Sequence, residues 1–296
     1  MKKIAKGIAI VFKRSAGEWI HDRAPQAAGA VAFYTIFSLS PLFIVVVGLL
    51  GFVLAEDIVR QTLTEQVRSL VGTQGAQVFD DTMMQLADRG GGLIGTIAGI
   101  AMVIFGTTTV FAQLQNQLNA IWDVRPQPGK GIIAWLRARV LSFGFVLILG
   151  FLLLVSLIVD AALTGFGSML ADKIPNIAPV IQVGNFLTWF VIATLLFAAM
   201  FKYLPDVHIQ WRDVLPAGLL TSALFSIGRH LIGLYLGHSA IVSAYGAAGS
   251  LVIVLLWVFF TSQLFFFGAE FSKAYARHLN HSTPADRFAV PAEEAA

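Results

Sequence analysis

The stretch Ser250–Phe271, SLVIVLLWVFFTSQLFFFGAEF, decides the fold. Its 22 residues contain one ionisable group, Glu270, and that group sits at the far end. A helix of this length is about 33 Å long, enough to cross the roughly 30 Å of hydrocarbon in a bilayer. Moving outward, no Asp, Glu, Lys or Arg occurs from His230 to Ala269. Similar uncharged runs extend over Ala24–Ala55, Gly90–Trp122, Val140–Val159, Ile174–Phe201 and Val214–Gly228. The chain has 296 residues, 57% hydrophobic and 12% charged, whereas a soluble domain carries about 25% charged residues. This composition excludes a soluble enzyme, a disordered regulator and a secreted disulfide scaffold, and with no cysteine there is no thiol chemistry.

The expected architecture is an all-α integral membrane bundle of six transmembrane helices, at about residues 31–54, 91–111, 140–164, 183–201, 214–236 and 250–271. The fifth is the least regular, because a full-length span must carry Arg229 and His230. The distribution of cations supports keeping it, since Lys and Arg collect in cytoplasmic loops. Lys2, Lys3, Lys6, Lys13, Arg14 and Arg23 precede the first span. Arg125, Lys130, Arg137 and Arg139 follow the second, Lys202 and Arg212 the fourth, and Lys273, Arg277 and Arg287 the sixth. The opposite loops hold Arg60, Arg68, Arg89 and Lys173. Six spans with both termini cytoplasmic therefore place most of the 20 cations inside, and the formal charge of +3 reflects topology rather than nucleic-acid binding.

Three parts follow. Residues 1–28 form a cytoplasmic N-terminal segment, read as an amphipathic helix with Ile4, Ile8, Val11 and Phe12 beside Lys3, Lys6, Lys13 and Arg14, suited to an anionic leaflet. Residues 29–272 form the membrane domain, with two short amphipathic helices in the outer loop 56–89. Residues 273–296 form a cytoplasmic tail, expected to be partly disordered from Ser282 onward, where Pro284, Pro291 and an Ala-rich acidic end occur.

Ionisable groups within a membrane cost about 2.5–3.5 kcal/mol each on insertion scales, so those present are candidates for function. They are Asp160, Arg229, His230 and Glu270. Arg229 either pairs with Asp160, binds an anionic head group or snorkels to the outer interface. Glu270 is an interfacial carboxylate or a partner for Arg139 or Lys202. Gly91, Gly95 and Gly99 form a smooth stripe for helix packing. Gln113, Asn116 and Asn119 give the second helix a polar cytoplasmic face. In the first span Tyr34 and Ser38 share a face, and Pro41 kinks the helix. The histidines are scattered, and neither a phosphate-binding loop nor a nucleophile motif is present. The expectation is therefore no enzyme activity, no cofactor and no metal.

Several motifs occur in order: Ala32-Phe33-Tyr34, Ser38-Leu39-Ser40-Pro41-Leu42, Leu118-Asn119-Ala120-Ile121-Trp122, Tyr203-Leu204-Pro205 with Trp211-Arg212, and Tyr245-Gly246 through Leu256-Trp257 to Gly268-Ala269-Glu270. Over about residues 20–275 the chain resembles the YihY/BrkB family of bacterial inner-membrane proteins. The resemblance implies a six-span multi-pass protein of the bacterial inner membrane with no settled activity. Members have carried a ribonuclease name and a virulence label, and some are linked to moving lipid or lipopolysaccharide precursors. No cytoplasmic loop here is large enough for a nuclease site. Translocation of an envelope lipid or other amphiphile fits better, with Arg229 at the outer level and Tyr34, Asn119 and Glu270 at the inner one. An ion or small-solute transporter and a scaffold for envelope assembly are the alternatives. The partners implied are membrane lipids, their anionic head groups among them, and an envelope protein for the scaffold. No nucleic acid is implied, and no oligomeric state follows.

Overall fold

A computed structural model describes residues 2–35, 64, 80, 109–127, 140, 144, 178–238, 249–286 and 289–291. In chain order the described elements are α1 (Lys2–His21), α2 (residues 24–35), α3 (residues 109–121), β1 (Val124–Pro126), α4 (Ala178–Tyr203), α5 (Trp211–His238), α6 (Gly249–His278) and β2 (Ala289–Pro291). The fold is mostly helical. Among the described residues two stretches are long and apolar enough to cross a bilayer, Gln182–Tyr203 within α4 and Val252–His278 within α6.

The three expected spans 183–201, 214–236 and 250–271 fall within α4, α5 and α6, and each helix is longer than its apolar run. At the start of α5 and the end of α6 the extensions are largely polar. α5 begins with Trp211-Arg212-Asp213 and α6 ends with Ser272 to His278. α2 covers the beginning of the first expected span, and α3 covers the end of the second and the polar stretch that continues it. Most of the third span and the helical loop 56–89 lie outside the described residues.

The chain packs as two compact units. One comprises Met1–Asp22, Gln115–Ser226 and Leu264–Ala296; the other comprises Arg23–Leu114 and Ile227–Gln263. In the second unit, α2 buries Ala24, Ala28, Val31 and Ala32, a stripe at helical spacing.

In the first unit, α4, α5 and α6 approach closely through small residues. A Cβ on Gly218 would lie 2.6 Å from the Thr194 carbonyl oxygen, and one on Gly268 would collide with Thr221 Oγ1 and the Phe201 ring. Such approach supplies van der Waals contact where lipid provides no hydrophobic drive between helices. Around it Phe197, Phe201, Phe225 and Phe265 form an aromatic cluster with centroids 5.0–6.5 Å apart. The opposite side of α4 exposes Val183, Phe186, Leu187, Val191 and Leu195, as a lipid-facing surface requires.

α1 is amphipathic, but one face of it is built into the first unit. Val11 and Ser15 are buried, Phe12 packs edge-on against Phe267 at 5.1 Å, and Gly7 lies against His278. Ile8, Ile10 and Ile20 remain exposed. Ser15 is accommodated by donating from its Oγ to the Val11 carbonyl at 2.8 Å. The helices α1, α3 and α6 are each followed by a residue of positive φ, Arg23 (52°), Asp123 (55°) and Asn280 (54°). Asp and Asn adopt this conformation readily, whereas Arg23 pays about 1 kcal/mol for it.

After Ser282, the described residues 283–286 and 289–291 include backbone groups paired with other segments. His208 N donates to the Pro284 carbonyl at 3.0 Å, Asp286 N donates to the Asp206 carbonyl at 2.9 Å, and Val207 bridges Ala285. Further on, β2 pairs antiparallel with β1, Val124 opposite Pro291, Arg125 opposite Val290 and Pro126 opposite Ala289. Backbone groups in this segment thereby find partners that the sequence pattern does not announce.

Candidate functional site

The first unit concentrates its polar groups where α1, α3 and the ends of α4, α5 and α6 meet. Three clusters can be distinguished there.

The first is centred on Asp206, just after Tyr203-Leu204-Pro205. Asn119 Nδ2 donates to Asp206 Oδ2 at 2.8 Å, and Asp206 N donates to Asn119 Oδ1 at 2.8 Å. Gln115 Nε2, one turn earlier on α3, reaches both carboxylate oxygens at 3.3 Å. The i, i+4 spacing of Gln115 and Asn119 places both amides on one helix face. The second cluster is centred on Asp213, fully buried in the first turn of α5. Its Oδ1 lies 2.6 Å from His281 Nδ1, while Ser272 Oγ donates to its carbonyl at 3.2 Å. Its Oδ2 has no hydrogen-bond partner.

The third cluster contains Glu18 and Asp22 of the α1 end and Glu270 of α6. One oxygen from each lies within 4.8 Å of those of the other two. Glu270 is 1% exposed, and neither of its carboxylate oxygens has a hydrogen-bond partner. Asp22 Oδ2 is likewise buried and without one. The neighbouring cations turn to other acceptors. Lys273 Nζ is 2.8 Å from Asp123 Oδ2, and Arg277 joins Asp123 at 2.9 Å and Glu18 at 3.8 Å. Arg14 reaches Glu18 at 3.5 Å. Gln117 Nε2 donates to the Asp22 carbonyl at 2.9 Å and ties the end of α1 to α3.

Of the residues singled out from sequence, Asn119 and Glu270 are buried in this region, in different clusters. Lys202, an expected partner of Glu270, instead donates to the Ile209 carbonyl at 2.5 Å and lies over the rings of Tyr203 and Trp211. Asn116 is exposed. Tyr34 is half-buried on α2, edge-on to Phe33 at 5.7 Å. Arg229 is exposed on α5, next to the helical backbone of His230. Ser38, Pro41, Gly91, Gly95, Gly99, Arg139 and Asp160 lie outside the described residues.

The residues that sequence reasoning missed are Glu18, Asp22, Asp206 and Asp213. Glu18 and Asp22 read as the solvated side of a basic helix. The available signal was the stripe Gly7, Val11, Ser15, Glu18 and Asp22, whose steps of four and three keep one helix face small or acidic.

The family described as Virulence factor BrkB matches residues 15–291. A UPF0761 membrane protein of Stenotrophomonas maltophilia is 28% identical over 264 residues, covering 87% of this chain and 59% of the relative. One of Ralstonia nicotianae is 28% identical over 261 residues, covering 86% and 56%. One of Acinetobacter baylyi is 23% identical over 257 residues, covering 86% and 59%. The chain thus spans about three-fifths of the length of these curated relatives. No solved structure matches it. Apolar helices, a match over most of the length and relatives named as membrane proteins all agree: this chain is a membrane protein and belongs to the Virulence factor BrkB family.

Proposed function

We propose that this protein is a six-span bundle of the bacterial inner membrane, with both termini cytoplasmic, that moves an envelope lipid or another amphiphile between leaflets without an ATPase of its own. The observation that carries this reading is Arg229. It is exposed on α5, and Ile227 and Leu231, on the roughly opposite face of the same helix, are exposed as well. An exposed guanidinium on an expected membrane span finds its best partner in a phosphate, which it binds in bidentate fashion. Lipid head groups supply that phosphate, and their acyl chains suit the exposed apolar side chains elsewhere on the same helix. Catalysis of RNA cleavage has no part in this reading.

A second reading, ion-coupled transport of a small solute, is favoured by Glu270, whose buried carboxyl group has no hydrogen-bond partner. A reconstitution experiment separates the two. Purified protein in liposomes containing fluorescent phospholipid is expected to raise the flip rate, and Arg229→Gln is expected to lower that gain several-fold. A folded wild-type protein that leaves the flip rate at the level of empty liposomes overturns the lipid reading. A scaffold gives that result without any solute flux.

A further inference from the structure

Glu18, Asp22 and Glu270 bring three carboxyl groups together at the junction of α1 and α6, with one oxygen of each within 4.8 Å of the others. Proximity of acidic groups is common on protein surfaces, but burial changes its meaning here. Glu270 is 1% exposed, and both of its oxygens lack a hydrogen-bond partner, as does the buried Oδ2 of Asp22. A buried polar atom left without a partner costs about 1–3 kcal/mol, and a charged one costs more. Among the described residues, Lys273 and Arg277 approach Asp123, and Arg277 and Arg14 approach Glu18, while no Lys or Arg forms an ion pair with Asp22 or Glu270. The C-terminal end of α1 adds its own partial negative charge.

A compact positive charge between the three groups would satisfy the unpartnered oxygens of Glu270 and Asp22, with Glu18, already joined to Arg14 and Arg277, close enough to share it. The donor set consists only of carboxylate oxygens, which suits hard cations rather than zinc or copper. Two ligands on opposite sides of one Ca²⁺ ion stand about 5 Å apart, given Ca–O distances of about 2.3–2.6 Å. Every pair in the cluster lies within that reach.

We infer that Glu18, Asp22 and Glu270 form a binding site for a hard divalent cation of the Mg²⁺ and Ca²⁺ class, which clamps α1 to α6. Waters complete the coordination shell, as they do for Mg²⁺ at carboxylate sites. This goes beyond the expectation of no metal, because the sequence pattern does not show that separate helices bring these three carboxylates together. The inference does not depend on the amphiphile reading, because cation binding is measured without transport.

The test uses the full chain purified in detergent and stripped with a chelator. Calorimetric titration with Mg²⁺ and with Ca²⁺ is expected to show one saturable site for at least one of the two. The same ion is expected to raise the melting temperature by several degrees, beyond any effect of KCl at equal ionic strength. Glu270→Gln and Asp22→Asn are each expected to lower the affinity at least tenfold. Should Glu270→Gln fail to fold, the half-buried Glu18→Gln serves the same comparison. No saturable binding of either ion to the wild-type protein at millimolar concentrations overturns the site, and so does unchanged affinity in folded variants. Binding that persists in protein inactive towards lipid supports the site while removing the carrier reading.

Discussion

Asn119 uses both ends of its amide on Asp206, donating to the carboxylate and accepting from the backbone N–H, each at 2.8 Å. A single side chain thus closes the loop that leaves α4 onto the end of α3. Asn119→Ala removes both bonds and leaves Gln115 at 3.3 Å as the amide reaching that carboxylate from α3. The expected loss is about 1–3 kcal/mol, read as a lower midpoint in thermal unfolding in detergent, whereas Asn116→Ala, on the exposed side of the same helix, is expected to change little. Equal effects of the two substitutions would contradict this account. At this scale the sequence revealed Asn119 and Glu270, because each is a polar residue beside an apolar run and stands out. Glu18 and Asp22 were obscured because they lie among lysines and arginines, where a carboxylate reads as part of a solvated face. Only the packing of α1 distinguishes them.

Among the elements, α4, α5 and α6 were legible as hydrophobic runs, and their ends were not. The apolar pattern marks only the part that meets lipid, while Asp213, Ser272 and Lys273 are helical because they are buried against other protein. β1 and β2 were illegible: three residues each, with Pro126 and Pro291 at the paired ends, carry no alternation to read. Close helix approach can be tested directly. Gly268→Ala forces a methyl group against Thr221 and Phe201 and is expected to cost about 1–3 kcal/mol. Gly184→Ala, in α4 with nothing within 4 Å of the added carbon, is expected to gain up to about 1 kcal/mol from helix propensity. Thermal unfolding of the two variants beside wild type checks both signs.

For the whole molecule, the absence of cysteine makes single-cysteine accessibility mapping free of background. Arg125, His208 and Asn280 are exposed positions of the first unit, adjoining its backbone pairings. Cysteines placed there are expected to react with a membrane-impermeant maleimide from the same face of oriented vesicles. Labelling of any one from the opposite face would overturn the arrangement.

The short backbone pairings also constrain how the chain is threaded. A hydrogen bond cannot join two segments across a bilayer, so each pairing imposes parity on the chain between its partners. β1 with β2 requires an even number of crossings between residues 126 and 289, and Val207 with Ala285 requires an even number between 207 and 285. The bond from Gln117 to the Asp22 carbonyl imposes the same between 22 and 117. An odd number of crossings within any of these intervals would set its paired segments on opposite sides of a membrane, so losing one span without its neighbour is expected to break a pairing far away in sequence.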